Sequence, residues 1–293
     1  MILSGEPSEK FLSVAEPLCL TDRLEEADII IGEPTFDELK SARHLKWLQM
    51  TWAGADRYIE GFPEHVTLTT ASGAFGETIA EHALAMLFSL CRKLPAYART
   101  RDWKDFGCEK EIAGGTALIF GAGDIGTAIA KRLQGLGVST IGVCKDLRKA
   151  REGFDGRTNL NNAAAFLSEA DFVLCALPHS KETAGYFNEE RLRLMKDDAV
   201  LINVGRGSLI DTNALTALLS EGKFYGVGLD VTTPEPLPKE HPLWTMPNVI
   251  ITPHVAGVSM GHLKSTEERI WSICAENLQN YLQNKPLRNV VKR

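Results

Sequence analysis

The sequence predicts an α/β protein built from two doubly wound domains with parallel sheets. Its length of 293 residues gives two domains at about 150 residues each. Short apolar segments rich in β-branched residues alternate with segments of helical periodicity along most of the chain. A glycine-rich turn at residues 121–126 stands between one such strand and one such helix. Alternation of this kind is typical of βαβ units, in which helices cover both faces of the sheet.

The middle of the chain carries the clearest strands, which are almost continuously apolar and are therefore expected to be buried on both faces. These segments are 116–121, 139–144, 171–177, 199–204, 226–231 and 248–253. Helical segments lie between them. The first has apolar residues at Ile125, Ile129, Leu133 and Leu136, and another fills residues 212–221.

The N-terminal part reads as a second α/β unit. After a first strand that begins at Met1, its strand candidates are residues 28–32, 45–50 and 66–71, and a long helix is expected from about 77 to 93. A C-terminal helix at about 261–284 carries one apolar stripe and could return to this unit. We therefore predict a discontinuous domain of residues 1–95 and 264–293, with residues 96–263 forming the other domain.

Composition excludes several classes of function. Lys and Arg total 32 against 38 Asp and Glu, and this net charge of -6 argues against nucleic-acid binding and against attraction to a membrane surface. The longest apolar stretch, residues 83–90, falls far short of the roughly 18 residues of a membrane span. The N-terminus does not resemble a signal peptide. Six scattered cysteines form no metal-like cluster, so no metal is expected and a cytoplasmic location is favoured.

The glycine-rich turn has the pattern GxGxxG in the required context, after a strand and before a helix. Gly121 would form the tight turn, Gly123 would let a pyrophosphate approach the backbone, and Gly126 would let helix and strand pack closely. Asp124 and Ile125 lie in the first turn of the helix, whose N-terminus attracts anions. Residues 96–263 are thus predicted to be a Rossmann-like dinucleotide-binding domain.

The end of the second strand of that domain bears on the choice of cofactor. An NAD site usually has an acidic residue there, but the expected position is Cys144, and Asp146 comes two residues later. Lys145 and Arg148 could neutralise a 2′-phosphate. The sequence therefore favours NADP, and NAD stays open as the alternative.

Three further polar motifs follow strand ends. Arg206 follows the fourth strand of the domain, Asp230 and Glu235 follow the fifth, and His254 follows the sixth. Because ligands of open α/β sheets bind outside the carboxyl ends of the strands, we expect these side chains to converge on one cleft.

With these motifs the sequence resembles the D-isomer-specific 2-hydroxyacid dehydrogenase family over nearly its whole length. Similar features are the spacings of 29 residues from Arg206 to Glu235 and 19 from Glu235 to His254, and the helix that contains Glu81 and His82. The loop 52–56 and the segment 176–179 with Thr183 also resemble the family. The lack of an acidic cofactor residue is similar to glyoxylate/hydroxypyruvate reductases within it.

The resemblance implies an oxidoreductase that transfers a hydride between NAD(P)H and a small 2-oxo or D-2-hydroxy acid. Arg206 would bind the substrate carboxylate and 2-oxo group, and His254 would be the general acid in reduction and the base in reverse. Glu235 would orient the His254 ring and favour its protonated form, and Asp230 would lie near the nicotinamide.

The resemblance also implies further contacts. Backbone amides of Ala53, Gly54 and Ala55 would complete the carboxylate pocket, and Trp52 in the same loop leaves the choice of substrate open. Besides the residues already named, the cofactor-binding residues would be Leu177, Pro178, Thr183, Val204, Gly205 and Gly257.

Two consequences concern assembly and the competing function. The family pairs through its dinucleotide domains, so we expect a homodimer in which residues 98–106, with Trp103, form an arm. The alternative function is that of a dinucleotide-sensing binding protein on the same scaffold, resembling the C-terminal binding protein corepressors, which keep similar Arg, Glu and His motifs.

Overall fold

The computed structural model describes residues 1–148, 152–258 and 263–292. In chain order, the strands are β1 (Ile2–Leu3), β2 (Ile29–Ile31), β3 (Trp47–Gln49), β4 (Thr67–Thr69), β5 (Thr116–Phe120), β6 (Ser139–Val143), β7 (Gly156–Thr158), β8 (Phe172–Cys175), β9 (Val200–Asn203), β10 (Gly226–Leu229) and β11 (Val249–Ile251). The helices are α1 (Glu9–Ala15), α2 (Phe36–Ser41), α3 (Gly76–Cys91), α4 (Leu94–Arg99), α5 (Asp124–Gly135), α6 (Glu189–Leu194), α7 (Thr212–Ser220) and α8 (Lys264–Leu282). The predicted α/β class with parallel sheets is confirmed.

Two compact units make up the chain. The first consists of Met1–Phe75 with Val258–Arg293, and the second is Gly76–Gly257. These limits differ from the expected ones at residues 76–95, which group with the second unit, and at Val258 and Leu263, which group with the first. The physical reason is that α3 packs on α5, β9 and β10, all of which belong to the second unit.

The first unit is built on a parallel sheet with the strand order β1-β2-β3-β4. Helix α8 packs on α1, where the rings of Trp271 and Phe11 lie 5.2 Å apart. A buried polar network joins the C-terminal segment to the sheet, since Asn277 Nδ2 donates to Gln49 Oε1 at 2.7 Å and Asn277 Oδ1 accepts from the Arg288 amide at 2.7 Å. Every polar atom of such a network needs a partner, so the network fixes α8 in one position.

The second unit contains a seven-stranded parallel sheet with the order β11-β10-β9-β8-β5-β6-β7. The strand order reverses between β5 and β8, which is the switch point at which open α/β sheets bind ligands. All residues of β8, β9 and β10 are buried, as their continuously apolar sequences predict. Strand β7 was not predicted, because a three-residue edge strand of sequence Gly-Arg-Thr carries no apolar run.

Helix α3 lies close against β10 because that strand has glycines where they touch. A Cβ at Gly226 would lie 3.0 Å from Leu90, and one at Gly228 would lie 3.0 Å from the Met86 sulfur. No helix in the described part of the chain is long and apolar enough to cross a membrane.

Candidate functional site

The carboxyl ends of six neighbouring strands of the second unit carry most of the predicted site residues. Gly121 follows β5, Cys144 follows β6, Val204 follows β9, and Asp230 directly follows β10. Because the sheet is parallel, all of these segments emerge at the same edge. The segments that carry these residues therefore lie along one edge of the sheet.

The glycine turn has the shape that a dinucleotide pyrophosphate requires. Gly121 has a φ of 105°, and a Cβ at Gly126 would lie 1.8 Å from the Gly121 carbonyl oxygen, so only glycine fits there. A Cβ at Gly123 would meet nothing within 4 Å, and Gly123 begins α5 without a side-chain cap. Open space in front of an uncapped helix N-terminus fits a phosphate group.

Asp124 and Ile125 form the first turn of α5. The Asp124 carboxylate points at α3, since a Cβ at Gly76 would lie 2.5 Å from Asp124 Oδ1. Any hydrogen bond from Asp124 to a bound phosphate would therefore come from its backbone amide rather than its side chain.

The segment after β6 contains the residues that are predicted to lie next to the ribose of the cofactor. Cys144 is 8% exposed, and its amide donates to Thr158 O at 2.9 Å. The Lys145 side chain is 93% exposed, with its Nζ 3.9 Å from Glu182 Oε2. Arg148 donates to Asp146 Oδ1 from both its amide, at 3.0 Å, and its Nε, at 3.1 Å. Asp146 thus has a cationic partner within the same loop.

The segment after β8 lies between the glycine turn and the segment after β9. A Cβ at Gly121 would lie 2.8 Å from Ala176 O, and one at Gly205 would lie 2.6 Å from Leu177 O. Thr183 is buried, and its hydroxyl donates to Pro178 O at 2.9 Å, which fixes the turn after Leu177. These contacts keep residues 176–183 beside the glycine turn.

Arg206 sits in a turn that is held by its neighbours. Asn203 Oδ1 accepts from the Gly205 amide at 3.0 Å and Asn203 Nδ2 donates to Arg206 O at 3.0 Å. The Val204 amide donates to Cys175 O at 2.9 Å. A Cβ at Gly207 would lie 1.9 Å from Thr232 O, so the turn touches the segment that leads to Glu235. The backbone on both sides of Arg206 is therefore fixed against adjacent strands.

Glu235 and His254 form the pair that the resemblance implies. His254 Nδ1 lies 2.7 Å from Glu235 Oε1, and the two side chains are 47% and 44% exposed. Two cis peptide bonds, Thr233-Pro234 and Glu235-Pro236, flank the glutamate. His254 has a φ of 55°, in the left-handed region that a histidine rarely adopts. With Nδ1 engaged by the carboxylate, the other ring nitrogen is free of that bond and can exchange a proton with a ligand.

Asp230 is a buried carboxylate that holds the histidine segment. Its Oδ1 accepts from Thr252 Oγ1 at 2.6 Å and from the Val255 amide at 2.9 Å, and its Oδ2 accepts from the Ala256 amide at 3.1 Å. The Asp230 carbonyl accepts from the His254 amide at 2.8 Å. One residue thus binds the segment on both sides of His254. Gly257, which was expected to contact the cofactor, directly follows Ala256.

The first unit carries the remaining predicted residues. In its loop 52–55, Trp52 is 59% exposed, and Ala53, Gly54 and Ala55 are partly exposed. Glu33 supports the start of this loop, since its Oε1 accepts from the Thr51 amide at 2.7 Å. Burial raises the pKa of Glu33 above its usual range, although the hydrogen bonds from Thr51 and Trp52 act in the opposite direction.

The sequence did not indicate the structural contacts of three residues: Glu33, His82 and Thr252. His82 and Thr252 lie inside segments that resemble the family, but only the packing of α3 brings His82 Nε2 to 3.0 Å from Thr252 Oγ1. A Thr two residues before a predicted catalytic His was the one available signal. The described residues contain no group of three or more His, Cys, Asp or Glu side chains that could hold a metal ion.

Comparison with known proteins gives a consistent result. The model of the D-isomer specific 2-hydroxyacid dehydrogenase NAD-binding domain matches residues 84–256. Glyoxylate reductase from Pyrococcus horikoshii is 34% identical over 73% of this chain and 65% of its own length. A D-isomer specific 2-hydroxyacid dehydrogenase family protein from Aeromonas salmonicida is 30% identical, covers 99% of this chain and 98% of its own, and superposes with a TM-score of 0.86. An NADPH-dependent glyoxylate/hydroxypyruvate reductase from Sinorhizobium meliloti, in complex with NADP and sulfate, is 25% identical, with 99% and 97% coverage and a TM-score of 0.81.

Proposed function

This chain belongs to the D-isomer-specific 2-hydroxyacid dehydrogenase family, and from that premise we propose that it reduces a small 2-oxo acid to the D-2-hydroxy acid. The reaction consumes one NAD(P)H and one proton and yields NAD(P)⁺. The observation that carries the proposal is the His254–Glu235 pair at 2.7 Å, at the sheet edge where the Arg206 turn and the glycine turn also emerge.

The proton transfer follows from the geometry of that pair. His254 Nδ1 donates to Glu235 Oε1, so Nε2 is the nitrogen that gives a proton to the 2-oxo oxygen. Glu235 holds the ring in this orientation and compensates the charge of the imidazolium. The bound nicotinamide supplies the hydride.

Arg206 binds the substrate carboxylate in this proposal. The planar guanidinium suits the task because it can donate two parallel hydrogen bonds to a carboxylate. The turn that carries it is fixed by Asn203 and by the close approach of Gly207 to Thr232, so the backbone can aim the side chain reproducibly. Preorganisation of this kind lowers the entropic cost of binding.

The dinucleotide is held by the glycine turn and the segments next to it. Gly121, Gly123 and Gly126 leave the space for the pyrophosphate, with backbone amides at the start of α5 as donors. The further contacts come from residues 177, 178, 183, 204, 205 and 257, together with Asp230. This assignment is tested by dinucleotide binding to a Gly123→Val variant, for which the open space predicts a folded protein that no longer binds.

The preferred cofactor in this proposal is NADP. It is supported by the buried thiol of Cys144 in place of a carboxylate, by the exposed ammonium of Lys145, and by the engagement of Asp146 with Arg148. Because Arg148 has this partner, Lys145 is the stronger candidate for the 2′-phosphate. A higher kcat/KM with NADPH than with NADH is expected, and Lys145→Ala should lower that ratio while Lys131→Ala should not. Wild-type preference for NADH would contradict the assignment.

The substrate class is that of glyoxylate and hydroxypyruvate. The relative from Pyrococcus horikoshii is named a glyoxylate reductase, and the similar structure from Sinorhizobium meliloti is that of a glyoxylate/hydroxypyruvate reductase. We assign substrate contact to Trp52 and to the amides of Ala53, Gly54 and Ala55. Trp52→Ala should therefore change the relative kcat/KM of short and long 2-oxo acids without changing that for the cofactor.

A homodimer is also part of the proposal. Trp103 is fully exposed, and Leu94, on α4, and Trp244, near the edge strand β11, are 50% and 44% exposed. Exposed apolar side chains of this size suit an interface with a second copy of the second unit. Light scattering of the purified protein at micromolar concentration should give twice the monomer mass, and a monomer would contradict it.

The deciding experiment is a steady-state assay with a panel of 2-oxo acids, with NADPH and NADH in parallel. The expected result is turnover of small 2-oxo acids, reduced about 10²–10⁴-fold in His254→Ala with little change in dinucleotide affinity. A matched control is His65→Ala, an exposed histidine of the first unit that should not change kcat. Tight dinucleotide binding without turnover of any member of the panel would refute the proposal and favour the dinucleotide-sensing alternative.

A further inference from the structure

His82 lies on α3, and its side chain is 25% exposed. Its Nε2 is 3.0 Å from Thr252 Oγ1 and 3.7 Å from Asp230 Oδ1. Thr252 Oγ1 in turn is 2.6 Å from Asp230 Oδ1. These three side chains, which we call the Asp230 cluster, all belong to the second unit.

The hydrogen-bond inventory fixes the direction of each bond in the cluster. A carboxylate can only accept, so the single hydroxyl hydrogen of Thr252 goes to Asp230. The hydroxyl oxygen must then accept from His82, which means that Nε2 of His82 carries a hydrogen. His82 therefore acts as a donor here in either the neutral or the charged form of the ring.

We infer that His82 is a positioning residue for His254, acting through Thr252 and Asp230. This inference rests on the proposed function of His254 as the proton donor. Thr252 precedes His254 by two residues, and the His254 amide bonds to both Asp230 O at 2.8 Å and Thr252 O at 3.0 Å. The N–H of His82 on α3 thus sets the rotamer of Thr252. Through Thr252 it also sets the position of the Asp230 carboxylate, which bonds to the segment that follows His254.

The unusual backbone of His254 explains why such support is needed. A φ of 55° is unfavourable for a residue with a Cβ and persists only where surrounding bonds enforce it. The amides of Val255 and Ala256 bond to Asp230 at 2.9 and 3.1 Å, and the Thr252 hydroxyl bonds to the same carboxylate. Loss of the His82 donor frees the hydroxyl to rotate away, and the carboxylate then loses one of its three donors. The imidazole of His254 should shift relative to the substrate as a result.

The test compares two variants of His82. His82→Gln keeps an N–H donor at a similar reach, whereas His82→Leu keeps the volume and removes the donor. For His82→Leu we expect kcat for the 2-oxo acid to fall about 10–100-fold, the scale of a misplaced catalytic group, with the KM for NADPH unchanged. His82→Gln should recover most of the loss, and the exposed His65→Leu should behave as wild type. Equal loss in both His82 variants would show a packing role and overturn the inference.

A measurement without turnover distinguishes failure of the inference from failure of the proposed function. In ¹⁵N-labelled wild-type protein, the ring of His82 should show a protonated Nε2. The ring signal of His254 should shift in His82→Leu and return toward the wild-type position in His82→Gln. An unprotonated Nε2 in His82, or an unchanged His254 signal in His82→Leu, would overturn the positioning role. If the wild-type protein turns over no 2-oxo acid, the proposed function fails, while these signals still report on the cluster.

Discussion

Replacing Asp230 with Asn tests how the histidine segment is held. The carboxylate is 2% exposed and receives three hydrogen bonds, from the Thr252 hydroxyl and from the amides of Val255 and Ala256. An amide of the same shape has one acceptor oxygen and one NH₂ group. Whichever way it is turned, at least one protein donor faces that NH₂ group, so the substitution changes hydrogen bonding and charge while it leaves volume nearly constant.

The magnitude follows from counting these bonds. Two bonds that were assisted by charge become neutral, at about 1 kcal/mol each, and the unsatisfied buried N–H costs about 1–3 kcal/mol. The segment 252–257 should therefore lose about 3–5 kcal/mol of local stability, within the factor of two that such sums allow. The lower end of this range, a local loss of about 3 kcal/mol, makes the equilibrium constant for local opening roughly 10²-fold larger.

Native-state hydrogen exchange measures this quantity directly. The amides of Val255 and Ala256 should exchange roughly 10²-fold faster in Asp230→Asn than in wild type. Asp211→Asn is the matched control, because Asp211 caps α7 through bonds to Asn213 and Ala214 at an exposed position, and Asn caps a helix equally well. Unchanged exchange of the two amides in Asp230→Asn would refute the account of the cluster.

Three further outcomes are expected. Arg206→Lys should raise the KM for the 2-oxo acid steeply with little change in NADPH affinity, because Lys cannot make the two-point contact with the carboxylate. An unchanged KM would contradict the role of Arg206 in substrate binding. Burial acts to raise the pKa of Asp171, but hydrogen bonds from Lys196 and Thr116 outweigh it and the pKa lies below its usual range. Its charge therefore stabilises the fold above about pH 4, and this contribution disappears in stronger acid. In urea titrations, the free energy of unfolding of Asp171→Asn should be about 1–3 kcal/mol lower than that of wild type at pH 7 and equal to it near pH 2. A difference that persists in acid would contradict this. Finally, burial raises the pKa of the Cys175 thiol, so alkylation of the native protein, read by mass spectrometry, should label the exposed Cys108 and spare Cys175 until the chain unfolds.

The strands were predictable from the sequence for a physical reason. A strand that is covered on both faces must be apolar throughout, and that signal is local. The segments after the strands could be assigned to one edge because parallel strands end on the same side. The pairing of Glu235 with His254, by contrast, was implied by the resemblance to the family.

The Asp230 cluster could not be predicted in the same way. His82 meets Thr252 only because α3 packs closely on β10, and the glycines that permit the approach do not reveal which side chains will touch. The grouping of α3 with the second unit could not be predicted for the same reason, since the sequence of α3 does not say which sheet it covers. Glu33 escaped notice because nothing local distinguishes a partly buried glutamate from an exposed one.

The close backbone approaches along the carboxyl edge have a consequence for how enzymes of this kind can be redesigned. Gly121 against Ala176, Gly205 against Leu177 and Gly207 against Thr232 leave no room for even a methyl group. The four loops involved therefore cannot be retuned one at a time, because a larger residue in one of them displaces its neighbour. Exposed side chains outside this line of contacts, such as Lys145 and Trp52, carry no such restriction, so they are the positions at which adaptation to a new cofactor or substrate is expected. Random mutagenesis should accordingly recover altered specificity at those exposed positions and only inactive protein at the three glycines.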